Sequence, residues 1–326
     1  MPVVSLNPEF TDWDSLRYAN GKADIPAILA DLGSGEPDRA SKALNLLHRI
    51  LTEVGPLYPE TPDMVNALVA AAVDPHCPLR RDDLLYALLL AVSAGGKPAL
   101  KERVRLALGA AVPGLLTLLA DPDTKVRELA ALALSWARPE DPTPAVAALR
   151  ERFASDGSAT ERGYAAVSLA ALGCADREWI TEALAPGNTD MVRVAAAWAL
   201  ARSPWPWTPQ ATRAIAEGAA NGDPFSSVGL RYDQSLLDEV ACNLVPVDAD
   251  TGPDPGLELL RDLLASARPR AAVSFAHSLS RTRSPVRAEA MRMVAEALPD
   301  SPEAHKFLKL WKYLDAMFRL TEGTTP

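Results

Sequence analysis

Residues 121–134 read DPDTKVRELAALAL. An aspartate ahead of an apolar-periodic run is a helix start, because its carboxylate accepts the unpaired N–H groups of the first turn. Arg127 is followed three and four residues later by Ala130 and Ala131, and six and seven later by Ala133 and Leu134. The same template returns in ERGYAAVSL at 161–169, set by Arg162, and in VRVAAAWAL at 192–200, set by Arg193. These arginines stand 35 and 31 residues apart. LRRDDLLYALLLA upstream fits through Arg81 with larger side chains, and VRAEAMRMV downstream fits through Arg287. A fixed period of this length is the signature of a repeat array. Each helix pair cannot bury its apolar face alone, so stacked neighbours must build the core together.

The signature DPD-x-x-VR-x-x-AA-x-AL resembles the second helix of HEAT repeats, of the short bacterial kind also called PBS-lyase-like. The likeness is clearest over 111–203 and extends from about residue 25 to 320. At 187–200 Thr189 replaces the second acid, and at 156–169 Glu161 replaces the valine. The resemblance implies an all-α, right-handed α-solenoid of about seven to eight antiparallel helix pairs in one domain, 1–326. Its second helices would line a concave face. On that scheme 1–24 is an N-terminal segment, 220–256 an irregular insertion with a short helix at 234–244, and 302–320 a cap helix. Asp123, Arg127, Arg162 and Arg193 are expected to form a stabilising ladder, with the acid capping its helix and pairing with an arginine of its own or the next repeat.

Composition agrees with a helical array. Of 326 residues, 48% are hydrophobic and only 6% aromatic, and valine and isoleucine rarely alternate, which disfavours strands. The 28 prolines fall largely in pairs such as Thr61-Pro62, Thr208-Pro209, Ser284-Pro285 and Ser301-Pro302. A cap residue followed by proline at the first helical position starts a helix, so these prolines punctuate many short helices. The net charge of −9 argues against a main task of gripping phosphates, and therefore against nucleic acid. Three scattered cysteines build no disulfide framework and fit a reducing, cytoplasmic setting. The opening MPVVSLNPEFTDW has neither a basic start nor a long apolar run, so no signal peptide is expected, and no stretch is apolar enough for a membrane span. The alanine and arginine load is that of a GC-rich bacterial genome.

One register position departs from the family. Five residues after each arginine the family places a polar residue facing the groove; here stand Tyr86, Leu132, Val167 and Trp198. Helices apolar all round are buried all round. The inner surface should therefore be covered by the chain itself, by a partner peptide or by an apolar ligand. Trp205 and Trp207 in SPWPW, and Arg231 and Asp233 in the insertion, complete the candidate partner-binding set. Trp residues are favoured at binding hot spots, though Pro-flanked ones also plug corners between helices. In the last helix Phe307, Leu310, Trp311, Leu314 and Phe318 form a stripe, with Lys306, Lys309 and Lys312 on other faces, fit for capping the last repeat or for docking.

Catalytic and metal-binding motifs are missing. The four histidines, His48, His76, His277 and His305, belong to no HExxH and no His-Glu pair, unlike the HEAT-repeat iron hydroxylases. His76-Cys77 lacks further zinc ligands, DADTGPD lacks a closing acid for calcium, and no phosphate-cradling glycine loop occurs. No cofactor or metal is expected. The expected function is a non-enzymatic protein- or peptide-binding scaffold using the concave face and the insertion. The alternatives are a HEAT-like DNA glycosylase using Trp198, Trp205 and Asp233, and an immunity or regulatory protein for one cognate partner. An enzyme should gather arginines and lysines around one buried carboxylate in the groove.

Overall fold

The computed structural model describes residues 24–53, 59–94, 96–155, 158–173, 175–221, 240–241, 244, 254–265, 269–282 and 286–322. Among them there are sixteen helices and no strand. No helix of the described residues is long and apolar enough to cross a membrane. By contacts the chain divides into two compact units, with the boundary between residues 175 and 176.

The first unit holds α1 (Ile25–Leu32), α2 (Pro37–Glu53), α3 (Thr61–Val73), α4 (Arg81–Ser93), α5 (Pro98–Ala110), α6 (Val112–Leu119), α7 (Thr124–Leu134), α8 (Thr143–Ala154) and α9 (Ala159–Ala171). Helices pair as α1/α2, α3/α4, α6/α7 and α8/α9. The second members touch in succession, α2 on α4, α4 on α7 and α7 on α9, and so do the first members, α1 on α3, α3 on α6 and α6 on α8. α5 is an extra helix laid against α3, α4 and α6. This neighbour-to-neighbour packing is that of a helical repeat.

The starts of these helices follow the punctuation in the sequence. Proline occupies the first turn of α1, α3, α5, α6 and α8, where its missing N–H costs nothing. Asp24 accepts from the N–H of Ala27, Asp123 from that of Lys125, and Ser158 from that of Glu161. Small residues set the spacing: Ala130, Ala131 and Ala133 of α7, and Ala165, Ala166 and Ala170 of α9, are fully or almost fully buried. They let backbones approach closely enough for Ser168 Oγ on α9 to donate to the Ala131 carbonyl on α7. Gly109, in the last turn of α5, lies against the connection between α7 and α8, where an added Cβ would be 2.3 Å from the Arg138 carbonyl oxygen.

The second unit holds α10 (Arg177–Ala183), α11 (Asp190–Ala201), α12 (Pro209–Asn221), α13 (Pro255–Ala265), α14 (Pro269–Thr282), α15 (Arg287–Ala297) and α16 (Pro302–Glu322). Each packs on the next, α13 also reaches α15, and α14 also reaches α16. Asp176 caps α10 and Thr189 caps α11. Of the insertion at 220–256, most residues, including nearly all of the helix expected at 234–244, lie outside the described ones.

Candidate functional site

The register position five residues after each arginine meets two environments. Leu132 on α7 and Val167 on α9 are each 1% exposed, and Trp198 on α11 is 5% exposed. Residues 128–134 of α7, 163–170 of α9 and 194–201 of α11 are buried without interruption. Tyr86, at the same position on α4, is 46% exposed. The difference has a local cause. α4 keeps an open stripe through Asp83 and Tyr86, whereas α7 and α9 keep none beyond their first turn.

Tyr86 is the centre of the exposed candidate surface. The ring of His48, on α2, meets it edge-on with centroids 5.8 Å apart. His48 is half-buried, and burial lowers its pKa below the ordinary value; the charge of Asp83 opposes the shift. The seam between α2 and α4 thus presents an aromatic face, a neutral imidazole and a carboxylate. Sequence reasoning did not single out His48 here. Its signal is its place on the second helix of the preceding pair.

Trp198, Trp205 and Trp207 lie in and just after α11. The guanidinium of Arg202 lies over the ring of Trp198 at 5.3 Å. Trp205 and Trp207 are half-buried in the connection to α12. Trp207 Nε1 donates to Thr212 Oγ1 at 2.8 Å, which ties the connection to α12, and the Trp205 N–H donates to Ser203 Oγ. Arg231 and Asp233 lie outside the described residues.

The arginines set by the template engage different partners. Asp123 caps α7 and Arg127 reaches forward to the next pair. Its Nε donates to Glu161 Oε1 at 3.0 Å and its second terminal nitrogen to Glu161 Oε2 at 3.2 Å. Its remaining terminal nitrogen donates to the carbonyls of Asp121 and Pro122. Hydrogen bonding to Glu161 raises the pKa of this guanidinium further. Arg152 of α8 stands 3.6 Å from Glu161 Oε1. Arg162 lies over the Phe153 ring at 5.1 Å, and Arg193 pairs with Glu217 of α12. One repeat earlier, Arg81 holds Asp121. Glu128 accepts from the Ser158 hydroxyl at 2.8 Å. Glu161 and Glu128 carry no motif, and only their place inside the repeat seam marks them.

Glu161 is the buried carboxylate ringed by arginines that an enzyme reading looks for. It is 1% exposed and both oxygens are occupied by Arg127. Its contacts make it a clamp between α7 and α9. Among the described residues no group of three His, Cys, Asp or Glu side chains is placed to hold a metal ion. No protein-family model matches the chain, and no curated protein matches it either.

Proposed function

We propose that the chain is a HEAT-like helical-repeat scaffold, a right-handed solenoid that binds a protein partner in the cytoplasm and catalyses no reaction. The observation that carries this reading is the exposure of Tyr86 beside His48 on the second-helix row. Three of the four apolar side chains at this register are buried, and the fourth stands open where a partner can reach it. An aromatic side chain with two rotatable bonds supplies contact area at small entropic cost, which is why such residues anchor interfaces. Asp83 and His48 supply polar contacts at its rim.

The test compares capture from native-host lysate by the unaltered chain and by Tyr86→Asp. Tyr86 is exposed, so the melting temperature should stay within about 2 °C. The scaffold reading expects one stoichiometric protein, depleted at least about tenfold by the substitution. A partner retained equally by both forms, or nucleic acid in the eluate lost at high salt, contradicts it.

A further inference from the structure

α16 turns two unlike faces outward and inward. Ala304, Phe307 and Trp311 are buried. Phe307 and Trp311 meet the ring of His277 on α14 at 6.2 and 5.9 Å, and the Arg287 guanidinium of α15 lies over Trp311 at 4.6 Å. These contacts hold the helix in place. The opposite arc carries His305, Lys306, Lys309, Leu310 and Lys312, all exposed, with Leu310 at 44%. At 3.6 residues per turn these five share one side of the helix.

Among the described side chains this arc holds three ammonium groups and no carboxylate. Glu303 sits at the start of the helix and accepts from the Ser301 hydroxyl. Glu289 and Glu296 of α15 are both taken by Arg292 of the same helix. No hydrogen bond or ion pair engages Lys306, Lys309 or Lys312 among the described residues. Among the described residues, a chain of net charge −9 thus gathers three unpaired lysines around an exposed leucine on the side of α16 opposite its buried face.

We propose that this face docks an acidic amphipathic helix of a protein partner. Carboxylates of that helix pair with Lys306, Lys309 and Lys312, and one apolar side chain covers Leu310. Charge complementarity selects an acidic occupant. Phe307 and Trp311, the two bulkiest described apolar side chains of α16, are buried inside the protein and withheld from a bilayer. Lysines are point charges without the guanidinium fork that grips phosphate, and the net negative charge of the chain repels a long polyanion. The face lies on the second unit and shares no residue with the Tyr86 seam, so the inference goes beyond the scaffold reading.

The probe is a fluorescein-labelled synthetic helix with glutamates on one face and leucines on the other, titrated against the full-length chain. A twin peptide with glutamine in place of glutamate, a single-stranded oligonucleotide and phosphatidylserine vesicles are titrated alongside. The unaltered chain should bind the acidic peptide at least about tenfold more tightly than the triple variant Lys306→Glu, Lys309→Glu, Lys312→Glu, with affinity falling as salt rises. Leu310→Asn should weaken binding about threefold without changing the salt dependence. Tyr86→Asp should leave it unchanged, which separates this proposal from the scaffold reading. If the triple glutamate variant loses its circular dichroism, Lys306→Gln, Lys309→Gln, Lys312→Gln serves instead. Equal binding by the unaltered and lysine-substituted chains overturns the proposal. So do binding of the glutamine peptide as tight as that of the acidic one, and preference for oligonucleotide or vesicles.

Discussion

Glu161 occupies the third position of α9, after the cap Ser158, where a capping-box glutamate ordinarily folds back on its own helix start. Its carboxylate instead takes Arg127 of α7, with Arg152 close by. Removing one partner of a buried pair leaves an uncompensated charge, which costs more than the pair itself contributes. Arg127→Met is therefore expected to lower unfolding stability by about 3 kcal/mol in urea titration, and Arg127→Met with Glu161→Leu to regain part of it. A loss under about 1 kcal/mol for the single change would reduce the clamp to an ornament. The sequence pointed to an Asp–Arg ladder. The arginines at the template positions were legible, and Arg81 does hold an aspartate, Asp121; the glutamates that take Arg127 and Arg193 were not, because tertiary approach chooses them. His48 gives a second expectation. Burial lowers its pKa, so below the unfolded value of 6.5 the unfolded chain takes up the proton more readily. Stability is intact above that value and declines as pH falls towards the lowered folded pKa. His48→Gln should flatten that part of the urea-midpoint profile between about pH 7.5 and 5; equal slopes in both chains would show that His48 does not titrate in this way.

At the scale of elements, Leu132 and Trp198 show what packing does to a register. Both are enclosed, so Leu132→Glu with Trp198→Glu places two carboxylates in the core and should abolish cooperative thermal unfolding. A folded double variant would mean that these helices open to solvent more readily than their packing indicates. Gly109→Ala tests the seat of α5. The Cβ would clash with backbone at Arg138, which a flexible side chain cannot relieve, and the expected loss is about 3 kcal/mol by thermal melting. Helix positions were partly legible, since proline and cap residues mark helix starts locally: α3 begins at Thr61, α12 at Pro209 and α16 at Pro302, at the Thr-Pro and Ser-Pro pairs. The standing of α5 outside the pairs was not, since its own sequence is as periodic as that of its neighbours. Tyr86 and Leu132 share one template position, yet one is open and the other closed. Periodicity tells which way a side chain faces but not what stands opposite.

For the molecule as a whole, the chain carries its information in the spacing of one short template, and that spacing speaks to architecture rather than to a partner. The all-α class and the packing of helices on their neighbours were readable from the template set by Arg127, Arg162 and Arg193 together with the composition and the proline punctuation. Tyr86 and the lysines of α16 stood among the candidates, but which candidates stay exposed emerges only after neighbours have claimed the others. The central claim is that the open seam at Tyr86 receives a protein partner while the enclosed positions of the same register do not. Its most direct test replaces Tyr86, and separately Leu132 and Val167, with the photo-crosslinking residue p-benzoylphenylalanine in cells of the native host. The scaffold account predicts one discrete protein adduct from position 86 and none from 132 or 167. No adduct at 86, or the same adduct from the enclosed positions, would contradict it.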